Sequence, residues 1–181
     1  MSFFTDPASL PKVIQLHGAA VETPGGVVLL MGHSGAGKST LSRMLSERFP
    51  KFADDQVNLR WHAGKGWLAE NGIRPMYKPY SIMSVCGFVR IYQAPHNLLV
   101  PISARKCCQY LTDALFEVAD QRQLDYVVRK QLFGAVAQIA REYPGWEYHF
   151  SLDQTAIDLF DQHFRAAANG SIYLTKETCN G

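Results

Sequence analysis

Residues 32–39 read GHSGAGKS, and their types and spacing could hold a phosphate chain. The pattern is glycine, four residues, glycine, lysine, then serine: a Walker A loop. Gly32, Gly35 and Gly37 let the backbone turn tightly and approach a phosphate without a Cβ in the way. The N–H groups so exposed form an anion nest at a helix N-terminus, where the helix dipole also favours negative charge. Lys38 is expected on the β- and γ-phosphates, and the Ser39 hydroxyl on Mg²⁺. Ser34, Ala36 and Thr40 complete the expected ATP-binding set. His33 joins it at a variable position and is expected to point outward.

Chemistry on a bound triphosphate needs a metal ligand and a group that orients or deprotonates the acceptor. Asp54 and Asp55 follow the loop and its helix closely in sequence. One could hold Mg²⁺, directly or through water, and the other could accept a hydroxyl proton. The Mg²⁺ ligands expected are then Ser39 and Asp54. An acidic turn or helix cap is the bland alternative for this pair. His17, beside Gly18, could be brought to the loop by strand pairing, as a partner of a carboxylate or a metal ligand. A lone histidine can equally be structural.

These groups need a scaffold. The run Val27-Val28-Leu29-Leu30-Met31 reads as a strand buried on both faces. Leu41, Met44, Leu45 and Phe49 then recur at helical spacing, and Pro50 ends that helix. Residues 13–21 and 26–31 read as two strands joined by a Pro-Gly turn, so a hairpin feeds the loop. A short strand before Asp54 is expected to run parallel to the strand entering the loop. Residues 58–62 and 66–70 predict a second hairpin, residues 71–84 a loop, and residues 87–93 a strand. Helices are predicted over 103–118, 121–143 and 156–168, a half-buried strand over 146–152, and a short strand over 171–175. The fold class is α/β with a mixed sheet, in one nucleotide-binding domain spanning 1–181.

Composition limits the rest. The chain has 181 residues, 47% apolar and 19% charged, with a net charge of +2. That charge is too small to imply a nucleic-acid or membrane partner. The opening MSFFTDPASLPK has neither a basic n-region nor a long apolar run, so a secretory leader is not expected. No stretch approaches the roughly 18 apolar residues of a membrane span. Cys86, Cys107, Cys108 and Cys179 follow no metal-binding spacing, and free thiols in a reducing cytoplasm are expected.

The order His17-Gly18, strand, turn, strand, GHSGAGKST, helix, Ala53-Asp54-Asp55 resembles the catalytic domain of the HPr kinase/phosphorylase family and its stand-alone serine-kinase-like relatives. The phosphoenolpyruvate carboxykinases share the loop-then-Asp-Asp arrangement. The resemblance covers residues 13–60. Weaker echoes follow at residues 87–97, 101–103 and 148–153. It implies the carboxykinase-like nucleotide-binding fold, with ATP and Mg²⁺ as cofactors. It also implies a Ser hydroxyl of a small, HPr-like protein or peptide as acceptor, and assembly into oligomers. It places Lys38 on the phosphates, Ser39 on Mg²⁺, Asp54 and Asp55 in the metal and base roles, and His17 in the site.

The chain departs from that family in one segment. The bifunctional enzymes carry Arg and Glu in an Arg-Gly-rich signature, where this chain has Arg74-Pro75-Met76-Tyr77-Lys78-Pro79. Between Asp55 and Asp113 the sole acid is Glu70. Phosphorylase activity is therefore not expected. Three other readings compete with the serine kinase. A small-metabolite kinase would need several Arg residues over the loop, and Arg122 and Arg129 are scattered. A regulatory ATP-binding module would keep the loop and lose turnover. A transporter ATPase would need a Leu-Ser-Gly-Gly signature, which the chain lacks.

Overall fold

The computed structural model describes residues 11–71, 81–118 and 125–168. Its centre is β3 (Gly26–Met31), buried at every position, as its continuous apolar run requires. Around it stand β1 (Val13–His17), β2 (Ala19–Thr23), β4 (Lys51–Ala53), β5 (Gln56–His62), β6 (Gly66–Asn71), β7 (Ile82–Gln93), β8 (Leu98–Ile102) and β9 (Gly145–Phe150). The helices are α1 (Lys38–Leu45), α2 (Ala104–Val118), α3 (Tyr126–Glu142) and α4 (Gln154–Ala168). The strand order is β1-β5-β6-β7-β3-β2-β4, with β9 also on β7 and β8 on β9. β3 runs parallel to β7 and antiparallel to β2, so the sheet is mixed.

Alternation along β3 feeds two cores. Val27, Leu29 and Met31 join Leu111 and Leu115 of α2 and Val136 and Ile139 of α3. Val28 and Leu30 join Leu41 and Leu45 of α1 and Phe160 and Phe164 of α4. A helical layer therefore covers each sheet face. The α2 layer closes over the sheet beside β1, and the α1 layer carries the end of the glycine-rich loop.

The expected single strand over 13–21 is broken at Gly18. A Cβ there would lie 2.9 Å from the Leu30 carbonyl oxygen, so only glycine permits this crossing of backbones. Before the break, His17 of β1 pairs with Gln56 of β5. After it, Ala19 to Thr23 pair with Leu30 to Gly26, as the hairpin reading expects. His17 thus lies on a neighbouring strand and not on the one paired with β3. β4 pairs antiparallel with β2, which sets it parallel to β3 with β2 between them.

Other differences have local causes. The expected loop over 71–84 gives way at Ile82, where β7 begins; residues 72–80, with Arg74 to Pro79, lie outside the described residues. β8 was hidden by Pro101, which is tolerated because β8 is an edge strand paired to β9 alone. α3 starts at Tyr126, where the Asp125 carboxylate accepts the Val128 N–H at 2.8 Å. The strand expected over 146–152 ends at Phe150. Asp153 then caps α4 by accepting from the Thr155 and Ala156 amides, so that helix begins at Gln154. The expected strand over 171–175, Arg122 and Cys179 lie outside the described residues. Cys86, Cys107 and Cys108 are unbridged. No described helix is long and apolar enough to cross a membrane.

One core contact predicts a pH effect. His163 of α4 packs edge-on against Trp146, its ring centroid 5.1 Å away, and its Nε2 is buried without a hydrogen bond. Burial lowers its pKa from 6.5. The unfolded chain then binds a proton first, so stability is full above 6.5 and falls as pH drops toward the lower folded value. Thermal unfolding between about pH 7.5 and 5 should show this loss, and His163→Leu should flatten it. An equally steep loss in the variant would refute the assignment.

Candidate functional site

β3 ends at Met31, and the chain turns through Gly35 and Gly37, with φ of 82° and 94°, into α1. A Cβ on Gly37 would sit 2.7 Å from Gln93 Nε2, which would have to move aside, and the positive φ disfavours any side chain there. Gly37 is the N-cap of α1 and supplies no side-chain cap. The first-turn N–H groups of the helix are thereby left to a ligand or water, at the positive end of its dipole.

A cavity of about 370 Å³ lies over this loop, within the usual range for small-molecule sites. Ser34, Gly35, Gly37, Lys38, Ser39 and Thr40 line its loop side. His17, Asp54, Asp55 and Gln93 complete its lining. The sequence-expected residues Gly32, His33 and Ala36 are not in its lining: Ala36 is buried, and His33 is exposed with Nδ1 2.8 Å from the Ser34 carbonyl. His33 therefore points outward, as its variable position predicts.

Lys38 is buried at the cavity floor. Its Nζ donates to the carbonyls of Gly32 at 2.6 Å and His33 at 3.2 Å. Burial lowers its pKa from 10.5; the charge of Arg90 adds to the lowering, while Glu117 and Asp55 oppose it. Asp55 and His17 meet because Asp55 lies in the bend just before β5, whose first residue, Gln56, pairs with His17; Gly18 N–H donates to the Asp55 carbonyl at 3.0 Å. His17 Nδ1 lies 3.5 Å from Asp55 Oδ1, and its Nε2 lies 3.4 Å from Glu117 Oε2. A protonated ring would tie the two carboxylates together. Asp54 instead pairs with Lys51, Nζ to Oδ1 3.0 Å. The two neighbouring acids thus have different partners.

Glu117, Arg90 and Gln93 escaped the sequence reading. Glu117 lies in the last turn of α2, on the side away from the buried Leu111 and Leu115, and its spacing alone marks only an outward face. Packing of α2 over β1 brings it to His17. The Glu70 carboxylate is spoken for elsewhere, buried against Arg60. Gln93 ends β7, and its proximity to the loop follows from the parallel pairing of β3 and β7, which no motif announces.

The donor set fits the expected ligands. Uncapped amides, Lys38 and a cavity of this size suit a nucleotide phosphate chain. The Ser39 hydroxyl and the Asp54 and Asp55 carboxylates offer the oxygen ligands that magnesium prefers. Among the described residues no cluster of three or more His, Cys, Asp or Glu forms a protein-only metal site.

No protein-family model matches the chain, and no curated protein matches it. Among solved structures it is similar to an Hpr(Ser) kinase/phosphatase from Coxiella burnetii, at 11% identity and a TM-score of 0.47. That match covers 86% of this chain and 97% of the other. It is a distant likeness of fold.

Proposed function

We propose that this chain binds ATP with Mg²⁺ and transfers the γ-phosphoryl group to a serine hydroxyl of a small protein or peptide. The observation that carries the proposal is the single cavity that joins Lys38 and Ser39 to Asp54, Asp55 and His17. The resemblance of residues 13–60 to serine-kinase-like proteins supports the acceptor class. So does the exposure of Asp55, whose side chain is 77% accessible at the cavity rim.

In this reading the amides of α1 and Lys38 hold the phosphates, and Ser39 and Asp54 hold the metal. Mg²⁺, when bound, supplies positive charge that offsets charge on the phosphates. Asp55 accepts the acceptor's hydroxyl proton, while that oxygen forms its bond to phosphorus and the β–γ bridging oxygen leaves with ADP. His17 positions Asp55 and links it to Glu117. The deciding experiment is ATP turnover with Mg²⁺ against a panel of proteins, serine peptides and small hydroxyl compounds. Phosphoserine formation supports the proposal. Transfer to a small metabolite alone would redirect it, and tight ATP binding without turnover on any acceptor would make the chain a regulatory module.

A further inference from the structure

Arg90 lies on β7 directly opposite Met31, the last residue of β3 before the loop. It projects to the sheet face covered by α2, where its guanidinium carbon sits 5.0 Å from the Tyr110 ring centroid and 5.9 Å from that of Tyr92. The rings are themselves held. Tyr92 hydroxyl donates to that of Tyr110 at 3.1 Å, and Tyr110 donates to Glu147. Lys106 completes the chain, 2.8 Å from Glu147.

This network orients Arg90 without neutralising it. Glu147 is taken by Tyr110 and Lys106. Glu117 is taken by His17. No carboxylate among the described residues pairs with Arg90, and its buried Nε has no hydrogen-bond partner. Aromatic faces offset some of the cost of withdrawing a cation from water, but they leave the planar edge of N–H donors unused. A purely structural arginine in such a place would ordinarily find a carboxylate or carbonyls.

Its neighbour is the second half of the argument. Arg90 stands opposite Met31, one residue before Gly32, whose carbonyl accepts from Lys38 Nζ at 2.6 Å. Lys38 likewise has only carbonyl partners. Lys38 lines the cavity and Arg90 stands behind that lining, at the foot of the same loop; neither has a bonded carboxylate among the described residues, and like charges so placed repel each other. A ligand bearing several negative charges relieves that repulsion, and a guanidinium edge suits phosphate oxygens.

We propose that Arg90 binds the terminal phosphate of the nucleotide and so makes the site discriminate a triphosphate from a diphosphate. This rests on the ATP-binding reading above and adds a residue and a specificity to it. The loop amides and Lys38 act on both nucleotides, whereas Arg90 acts on the group that ADP lacks.

The test is calorimetric titration of the full chain with ADP and with a non-hydrolysable ATP analogue, both with Mg²⁺. Arg90→Met removes the donors and keeps an apolar stem against the rings. Arg90→Gln removes the charge but keeps a polar end. Both variants should bind the triphosphate at least tenfold more weakly than the unmodified protein, while ADP affinity changes less than threefold. If both variants keep the original ratio of the two affinities, Arg90 has no such role and the ATP-binding reading stands. If both affinities fall together in each folded variant, Arg90 is structural and the proposal fails. If Arg90→Met does not fold, Arg90→Gln decides on the same ratio. If the unmodified protein binds neither nucleotide, the ATP-binding reading fails first and takes this proposal with it.

Discussion

Lys38→Ala is expected to weaken ATP binding by roughly 10- to 100-fold for each phosphate hydrogen bond lost, because charge-assisted bonds are worth about 1.5–3 kcal/mol. The lysine is already at the cavity floor, where Nζ donates to the Gly32 and His33 carbonyls. Its stem is sequestered, so little side-chain entropy remains to be lost on binding. The same carbonyls would be left without a donor in the alanine variant. Lys38→Met is therefore the better matched control, since it keeps the stem volume. Calorimetry on both variants, after circular dichroism has established that they are folded, reads the effect. ATP affinity equal to that of the unmodified protein would remove the loop from the binding site. There is also a pH signature. Burial lowers the pKa of Lys38, and only the charged form attracts phosphate, so affinity should fall as pH rises, starting below the ordinary value of 10.5.

The local parts of this molecule were legible because one short stretch decides each of them. The apolar run before the loop, the helical spacing after it and the Pro-Gly turn at 24–25 each answer to a single local rule, and β3, α1 and the β2–β3 hairpin follow. What was not legible depends on tertiary contact. Gly18 looks like a strand residue until the Leu30 carbonyl is placed against it. β8 carries a proline that argues against a strand, and only its edge position explains it. The same division holds in the candidate site. Lys38, Ser39, Asp54 and Asp55 belong to continuous segments and could be read from spacing. Glu117 and Arg90 arrive from α2 and from β7, more than thirty residues beyond the Asp pair, through packing and parallel register. Long-range pairing leaves no short motif, and no local rule brings Glu117 to His17.

Their different partners also predict that Asp54 and Asp55 fail differently when changed. Asp55→Asn should reduce phosphoryl transfer by about 10²- to 10⁴-fold, the usual contribution of a general base, while ATP binding persists. The substitution keeps the side chain's size and its oxygen but removes the proton acceptor. His17 Nδ1, 3.5 Å from Asp55 Oδ1, would lose an ionic partner and keep Glu117. Asp54→Asn should act mainly on metal. Asp54 already shares its carboxylate with Lys51 at 3.0 Å, so a metal must compete with or displace that ammonium group. Magnesium keeps several waters and needs few protein oxygens, so losing one weakens the ion rather than the fold. The rate of Asp54→Asn should therefore recover as Mg²⁺ is raised, whereas that of Asp55→Asn should not. Steady-state rates across a Mg²⁺ series, with nucleotide affinity measured in parallel, separate the two. Unaltered transfer in both variants would reduce the pair to an acidic turn on the cavity rim. Recovery of both with added metal would assign both carboxylates to the ion, and the proton would then need another acceptor, for which His17, lining the cavity and paired with Glu117, has the right chemistry.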